Sequence, residues 1–259
     1  MTLLSIAEQL TPLILTYNEA PNIERTLQKL TWAKKIVIVD SYSTDETLEI
    51  LSSYPQIEVF QRKFDSFASQ CNYGLTKITS QWVLSLDADY ILTDELIHEI
   101  KTLPVESDIN GYSFRFKYCV FGKPLRGTLL PPRKVLYRKE KAIYQDDGHA
   151  HRVLVEGKST ILSPYIHHDD RKPLSRWLWA QQRYMVIETK KLIDTPNSEL
   201  SLGDRIRKQK ILAPLIIFVY CLILKGGILD GWQGWYYTFQ RVLAEVILSI
   251  HLIEAEKLK

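Results

Sequence analysis

Apolar runs and amphipathic segments alternate along the N-terminal part of the chain. Between the runs, apolar residues recur at helical spacing or follow a helix-capping sequence, in segments 22–30, 43–51 and 66–78. This alternation predicts an α/β fold, with a mostly parallel central sheet, helices on both faces and right-handed crossovers. The apolar runs that predict the strands are 12–17, 35–40, 57–60 and 82–86.

The pattern changes after Asn110. Alternation between apolar and polar side chains, which is typical of half-exposed strands, follows in 112–118, 133–138 and 152–156. From Pro173 onward the apolar spacing becomes helical. The sequence therefore predicts two regions, an α/β domain in residues 1–172 and a helical C-terminal region in residues 173–259.

Carboxylates stand where the predicted strands end. Asp40 closes the second strand, Asp87 and Asp89 close the fourth, and Glu19 follows the first. The carboxyl ends of parallel strands meet at one edge, where open α/β sheets bind ligands. Carboxylate oxygens suit Mg²⁺ or Mn²⁺, and these cations suit diphosphates. An isolated Asp-x-Asp more often starts a helix or solvates a turn, but acidic strand ends on one edge favour a nucleotide site.

Composition narrows the possible function classes. The net charge of +3 is too small to indicate nucleic-acid binding. The G-x-G-x-x-G and P-loop fingerprints are absent, so a nucleotide site must be built from strand-end side chains. Three widely separated cysteines, Cys71, Cys119 and Cys221, predict buried thiols in a reducing compartment and no zinc site or disulfide framework. The N-terminus shows no secretory-signal pattern.

The C-terminal region combines basic, apolar and aromatic segments. Four basic residues lie in 205–210, and the apolar run 211–224 is shorter than the roughly 20 residues needed to span a bilayer. Trp232, Trp235 and neighbouring tyrosines follow a glycine pair. This combination predicts interfacial attachment to a membrane surface. The alternative is a helical appendage that packs on the catalytic domain or forms a homo-oligomer interface.

Four ordered motifs resemble those of family-2 glycosyltransferases of the GT-A fold. The motifs are Thr16–Glu19, Val39–Thr47, Phe67–Gly74 and Leu86–Asp89. The sequence Asp-Ser-x-Ser-Thr-Asp and a Gln-x-Asn in the third helix resemble motifs of one branch of the family, the lipopolysaccharide-core β-glucosyltransferases and related envelope-glycan enzymes. This resemblance implies a GT-A fold and an inverting, metal-dependent transfer from a UDP-sugar to a hydroxyl group.

The resemblance also implies the residues of the donor site. Asp40 would accept from the uracil ring, while Gln70 and Asn72 would contact the nucleotide or the helix that holds it. Asp87 would meet the ribose and the metal side, and Asp89 would ligate the cation, Mn²⁺ or Mg²⁺. The other implied uridine-pocket residues are Thr16, Tyr17 and Glu19. The implied metal ligands are Asp89, Asp87 and His168, with His168 favoured over His167.

An inverting transfer needs a base that takes the proton of the acceptor hydroxyl. Candidates cluster in 144–153, where we rank Asp147 first, Asp146 second and His151 third. His151 holds the place that an acid occupies in many members of the branch. Tyr90 stands where many relatives continue the Asp-x-Asp motif with another acid, and it either packs in the core or contacts a sugar.

The acceptor site is predicted in the turn-rich loop 126–133. Arg126 and Arg133 would meet an anionic acceptor there, such as an acidic sugar or a phosphorylated lipid, unless they form a solvated face. The resemblance implies a cell-envelope glycan or lipid-linked acceptor. It also implies a cytoplasmic protein held peripherally at the inner face of the cytoplasmic membrane.

Two other classes fit the residues less well. A nucleotidyltransferase would normally carry a Gly-rich basic loop after the first strand, where this chain has 18–21. A non-catalytic nucleotide-sugar-binding membrane scaffold is compatible with Tyr90 and His151, but retention of both Asp87 and Asp89 argues against it.

Overall fold

The computed structural model describes residues 5–127, 129–147 and 150–258, with the side chains of residues 147, 150 and 151 outside the description. The chain divides into two compact units. Unit 1 comprises Met1–Tyr118 and Leu130–Arg171, and unit 2 comprises Cys119–Leu129 and Lys172–Lys259. Unit 2 therefore contains a short segment from the middle of the chain as well as the C-terminal part.

Eleven strands and eight α-helices lie in the described residues. The strands are β1 (Leu10–Thr16), β2 (Ile36–Asp40), β3 (Ile57–Gln61), β4 (Trp82–Asp87), β5 (Tyr90–Leu92), β6 (Ile109–Val120), β7 (Lys123–Pro124), β8 (Arg133–Arg138), β9 (Ala142–Asp147), β10 (Ala150–Val155) and β11 (Lys158–His168). The helices are α1 (Ile23–Gln28), α2 (Thr47–Ser52), α3 (Phe67–Thr76), α4 (Asp94–Thr102), α5 (Leu174–Asp194), α6 (Leu202–Arg207), α7 (Leu212–Val219) and α8 (Trp232–Lys257).

The first four strands form a parallel region in the order β3–β2–β1–β4. Every residue of β2 and nearly every residue of β1 is buried, because both faces of these strands are covered. Helices α1, α2 and α3 provide the connections, so the predicted alternation of strands and helices is confirmed. The pairing register places Thr16 beside Asp40 and Leu15 beside Asp87, which brings three strand ends to one edge.

Beyond β4 the sheet becomes mixed. β4 and β6 each pair antiparallel with β8, β6 pairs parallel with β11, and β11 pairs antiparallel with β5. β9 and β10 form a separate antiparallel hairpin. Antiparallel neighbours need only short connections, whereas parallel neighbours need long crossovers. The predicted parallel arrangement is found in β1 to β4 and gives way from β5 onward, before the sequence pattern changes at Asn110.

Helices cover both faces of the parallel region, as the sequence predicts. Ile38 of β2 belongs to a buried cluster with Leu27 of α1. The next residue, Val39, points to the opposite face and belongs to a second cluster with Cys71 of α3. Cys71, Cys119 and Cys221 are all buried, as the sequence predicts.

Unit 2 is mainly helical. The apolar run 211–224 forms α7 and a π-helical turn, Tyr220–Leu224. A small core includes Met185 of α5 and Leu248 of α8. None of the helices in the described residues is both long enough and apolar enough to cross a membrane.

Gly234 lets α8 begin close against the turn that precedes it. A Cβ atom at this position would lie 1.8 Å from the carbonyl oxygen of Gly227. We expect Gly234→Ala to lower the free energy of unfolding by about 1–3 kcal/mol, because the helix must move away from that turn. In the control Gly203→Ala, the new methyl group meets only the Ser201 hydroxyl at 3.8 Å, and stability should rise by at most about 1 kcal/mol. Urea unfolding measures both changes; equal midpoints would contradict this account of the packing.

Candidate functional site

Asp40 lies at the end of β2 and is fully buried. Its carboxylate accepts hydrogen bonds from the Thr16 hydroxyl at 2.9 Å, from the Ser43 hydroxyl at 2.5 Å and from the Ser43 backbone N–H at 2.9 Å. The Gln61 amide lies 3.4 Å away. These bonds hold the ends of β1 and β2 and the loop after β2 in one arrangement. Thr16 and Asp40 thus organise the pocket edge, while their direct contact with uridine stays a prediction.

The loops after β1 and β2 are joined by hydrogen bonds along the two matching motifs. The backbone N–H groups of Asn18 and Glu19 donate to the hydroxyls of Ser43 and Thr47, at 2.9 and 2.8 Å. The Asn18 side chain accepts from the Thr44 backbone N–H at 2.8 Å. Asn18 has a φ of 55°, a left-handed conformation that asparagine adopts more readily than most residues. The first loop therefore has a fixed shape.

Tyr17 and Glu19, the other two predicted uridine-pocket residues, differ in exposure. Tyr17 is 40% exposed at the pocket edge. One carboxylate oxygen of Glu19 accepts from the Asn22 amide at 3.0 Å. Their contacts with a nucleotide stay predictions.

Gln70 and Asn72 on α3 bind backbone segments of the protein. The buried Gln70 amide donates to the carbonyl oxygens of Arg62 and Lys63, at 3.3 and 3.0 Å. The Asn72 side chain donates to the Tyr144 carbonyl oxygen and accepts from the Tyr144 N–H, both at 3.0 Å. In this structure both side chains position loops and strands around α3. A direct contact with the nucleotide stays a prediction.

The Asp-x-Asp motif forms the tight connection between β4 and β5. The Thr26 hydroxyl donates to the Ala88 carbonyl oxygen at 2.7 Å, and the Asp169 N–H donates to the Asp89 carbonyl oxygen at 3.1 Å. The carboxylate of Asp89 lies 3.0 Å from Nε2 of His168. Two predicted metal ligands, 79 positions apart, are thus in direct contact.

His168 ends β11 opposite Tyr90 of β5. Burial alone lowers the pKa of His168, but the carboxylates of Asp89, Asp87 and Asp170 outweigh it and raise the pKa above its ordinary value. Negative charge from three carboxylates therefore converges on this imidazole. A site of this kind attracts cations.

Tyr90 is packed in the core. Its ring lies 4.9 Å from that of Phe116 and 5.3 Å from that of His168, measured between centroids. Its hydroxyl lies 3.5 Å from Nη1 of Arg133. Burial and the nearby Asp87 carboxylate raise the pKa of Tyr90 well above its ordinary value. The packed alternative predicted for Tyr90 is what the structure shows, and Arg133 is placed beside it.

A buried ionic network beside this turn was not anticipated from the sequence. The guanidinium of Arg25 donates to the Asp169 carboxylate at 2.5 Å, and Arg171 approaches the same oxygen at 2.9 Å. The Asn22 amide donates to Asp170 at 2.8 Å and its oxygen accepts from the Arg171 N–H at 2.9 Å. This network joins the start of α1 to the residues that follow His168. Helical periodicity places Asn22 and Arg25 on one face but cannot reveal partners 144 positions away.

The predicted base candidates lie in the β9–β10 hairpin. The Asp146 carboxylate accepts from the Ala68 N–H in the first turn of α3, at 3.2 Å. The side chains of Asp147 and His151 lie outside the described residues, although the backbone register pairs His151 with Asp146. The structure therefore gives Asp146 a role in fixing the hairpin on α3.

Arg126, the other predicted acceptor residue, belongs to unit 2. Its backbone N–H donates to one oxygen of Asp230 at 3.0 Å, and its Nε lies 3.4 Å from the other oxygen. The Arg126 side chain is 65% exposed, whereas Asp230 is buried. This contact fixes the base of the loop and leaves the guanidinium accessible.

The part of the chain that the structure describes contains no group of three or more His, Cys, Asp or Glu side chains that could hold a metal ion. The strongest pair of candidate ligands is Asp89 with His168, with Asp87 as the neighbouring carboxylate. A cation at this edge would therefore need further oxygen ligands from a bound molecule or from water.

The fold has a parallel region with acidic strand ends, and the mixed sheet that follows places a histidine beside the Asp-x-Asp turn. This arrangement defines an α/β protein of the GT-A type. The chain belongs to the family 2 glycosyltransferases: the family described as Glycosyl transferase family 2 matches residues 13–142. The resemblance deduced from the four motifs is thereby confirmed.

Curated relatives agree with this assignment. The lipopolysaccharide core biosynthesis glycosyltransferase LpsC of Rhizobium meliloti is 29% identical over 95% of this chain and 94% of its own length. Matches to glycosyltransferases of Bacillus subtilis and Rickettsia bellii are 32% identical, but they span only 20% and 36% of those proteins. LpsC is thus similar over both predicted regions, while the other two are similar in a segment alone.

Solved structures show the same fold. The mannosyltransferase PcManGT from Pyrobaculum calidifontis, in complex with GDP-Man and Mn²⁺, superposes with a TM-score of 0.56 at 15% identity, covering 95% of this chain and 87% of that one. A fragment of S. aureus TarS in complex with UDP-GlcNAc gives a TM-score of 0.50 at 14% identity, covering 97% and 92%. At these identities the likeness establishes the fold, and the predicted GT-A class is confirmed.

Proposed function

We propose that this protein transfers a sugar from a UDP-sugar to a hydroxyl group of a cell-envelope glycan or lipid-linked acceptor, with inversion at the anomeric carbon and with Mn²⁺ or Mg²⁺ bound. The observation that carries this proposal is the contact between Asp89 and His168 beside Asp87, at the carboxyl edge of the parallel strands. Open α/β sheets bind their ligands at this edge.

The residues at the Asp-x-Asp turn fit a divalent cation that is shared with a diphosphate. Mg²⁺ commonly keeps several waters and is held by one or two carboxylates together with substrate phosphates, so a complete protein cage is unnecessary. Asp89, with Asp87 and His168 beside it, would hold the cation, which neutralises charge on the departing diphosphate. That PcManGT was solved with Mn²⁺ supports the choice of metal.

The uridine half of the donor would lie against the edge formed by Tyr17, Glu19 and Asp40. The loops there are held by hydrogen bonds between the two motifs, so the pocket edge has its shape before a nucleotide binds. That the TarS fragment was solved with UDP-GlcNAc supports a uridine nucleotide. Preorganisation of this kind reduces the entropy lost on binding.

Asp147 is our first candidate for the base, ahead of Asp146 and His151. Asp146 accepts a hydrogen bond from the Ala68 N–H of α3, which gives it a structural role beside any role as the base. The base takes the proton of the acceptor hydroxyl while its oxygen forms a bond to the anomeric carbon. The bond from that carbon to the diphosphate breaks, and UDP leaves with the electron pair.

The acceptor is proposed to be anionic and attached to the cell envelope. The name of LpsC supports a lipopolysaccharide-core or related glycan. Arg126 and Arg133 would meet phosphate or acidic sugar groups on it. Peripheral association with the inner face of the cytoplasmic membrane completes the proposal, supported by the basic segment 205–210 and the apolar run after it.

The test is to incubate the purified protein with a panel of UDP-sugars and Mn²⁺, with and without envelope-glycan extracts, and to identify the products. We expect release of UDP and a product whose anomeric configuration, read by NMR, is opposite to that of the donor. Asp147→Asn should reduce turnover by about 10²–10⁴-fold, whereas Asp146→Asn should reduce it less. Release of pyrophosphate, or retention of configuration, would overturn the proposal.

A further inference from the structure

Unit 2 exposes large apolar side chains on α7, on the turn after it and at the start of α8. We call this the docking face and define it by six residues that are each 49–71% exposed: Leu212, Leu215, Val219, Leu224, Leu229 and Trp232. The opposite side of the same segment is buried, as Ala213 and Leu222 show. One side of the segment therefore packs within the unit, and the other presents apolar side chains outward.

Exposure of this kind is uncommon in proteins that stay in water. Monomeric soluble proteins rarely expose contiguous apolar patches larger than a few hundred Å². Residues 211–224 contain no charged side chain, and no helix in the described ranges is suited to crossing a bilayer. The docking face therefore presents an uncharged apolar surface, which can enter the boundary between headgroups and acyl chains.

Aromatic rings border the docking face. The exposed Phe121 lies 5.7 Å from the ring centroids of both Trp232 and Tyr236. Trp235 lies 6.2 Å from Phe218 by the same measure. Trp and Tyr side chains are enriched where hydrocarbon meets the headgroups, because their rings are apolar and their N–H or O–H groups need polar partners.

Basic residues outnumber acidic ones in the stretch that carries the docking face. Residues 205–253 contain six Lys or Arg residues and only two acids, Asp230 and Glu245. Both acids are buried at 4% exposure and have internal partners: Asp230 accepts from the Arg126 N–H, and Glu245 pairs with Arg207. Arg207 is paired with Glu188 and Glu245, and Lys210 pairs with the exposed Glu256. The positive charge of this stretch is therefore carried by Arg205, Lys208, Lys225 and Arg241. A second copy of the same face would oppose like charges, whereas an anionic lipid surface complements them.

We propose that the docking face inserts into the headgroup region of an anionic lipid surface, with α7 parallel to the membrane plane. This inference deepens the proposed function, since it names the elements and the lipid chemistry of the membrane association. Arg126 belongs to the same unit and is fixed by Asp230. Arg126 would consequently be held at the level of the headgroups, where a lipid-linked acceptor presents its first sugars or phosphates.

The experiment is vesicle co-sedimentation of the full chain. Vesicles of phosphatidylcholine alone are compared with vesicles that also contain phosphatidylglycerol. We expect binding to the anionic vesicles that weakens with added salt, and at least about fivefold weaker binding to the neutral ones, since each cation near the surface contributes roughly that factor. Leu215→Asp should weaken binding to anionic vesicles about tenfold or more, because the apolar contact is lost.

Val186→Asp is the matched control. Val186 is 53% exposed on α5 of the same unit, so this change adds the same charge at a similarly exposed apolar position outside the docking face. It should leave vesicle binding within about twofold of the wild type. Equal binding by wild type and Leu215→Asp would overturn the proposal. The proposal would also be overturned if the wild type formed a dimer in sedimentation velocity, did not bind vesicles, and became a monomer in Leu215→Asp. The docking face would then bind a second copy of the chain.

Calorimetric titration of the same samples with UDP and Mn²⁺ separates this inference from the proposed function. Loss of vesicle binding in Leu215→Asp with normal UDP binding supports the docking face. If the wild-type protein binds vesicles but does not bind UDP, the donor assignment is wrong and the proposed role of the docking face is still supported.

Discussion

Asp89→Asn should abolish the metal-dependent part of UDP binding and lower turnover by about a hundredfold to a thousandfold. The substitution keeps the size of the side chain and its ability to contact His168, but it removes the negative charge that faces a cation. Titration calorimetry with UDP, with and without Mn²⁺, measures the first effect, and UDP release from the donor measures the second.

A matched control for Asp89 lies on α4. Asp94 is 82% exposed and pairs with Lys29 at the surface. Asp94→Asn removes the same charge by the same chemistry, and surface ion pairs contribute little to stability, so UDP binding should be unchanged. Metal-dependent UDP binding that persists in Asp89→Asn would show that the cation is held elsewhere.

Asn72→Ala should reduce kcat by about tenfold to a hundredfold while leaving the UDP dissociation constant within about twofold of the wild type. The Asn72 side chain holds the Tyr144 backbone through two hydrogen bonds at 3.0 Å. Tyr144 lies on β9, the hairpin strand that carries Asp146 and Asp147. Without this contact the hairpin loses part of its attachment to α3. The rate of the chemical step should therefore fall more than the affinity for the donor.

The measurement for Asn72 distinguishes its two possible roles. A direct nucleotide contact would appear as weaker UDP binding, whereas a positioning role appears in kcat with UDP binding preserved. Thr76→Ala on the same helix is the control, because the Thr76 hydroxyl only donates to the Tyr73 carbonyl oxygen one turn back. Thermal unfolding followed by circular dichroism establishes that both variants are folded. Unchanged kcat in folded Asn72→Ala would contradict the positioning role.

The sequence predicts the parallel strands well because each is a short apolar run between turn signals. β2 is fully buried, so its residues need to be apolar on both faces, and this signal is local. The edge that carries Asp40 and Asp87 follows from topology, since parallel strands end on the same side.

The order of the later strands and the contacts within the site depend on long-range pairing, which the periodicity of the sequence does not encode. The pattern in 133–138 predicts a strand, but it does not say that β8 lies between β4 and β6. The resemblance singles out His168 and Asp89 separately, and only the return of β11 beside β5 brings them to 3.0 Å. Asn72 and Gln70 are correctly placed on α3, yet their partners are backbone atoms that any sequence could supply.

The buried ionic network has a consequence for how the chain reaches its folded state. Arg25 leaves the ribosome early, but its carboxylate partner Asp169 follows 144 residues later. Loop closure over such a separation is slow, because its entropy is lost before the contact forms. Until then the Asp89 turn lacks both the Asp169 backbone bond and His168. Unit 1 would therefore be completed late in synthesis, and nascent chains that end before residue 168 should be the ones that chaperones retain.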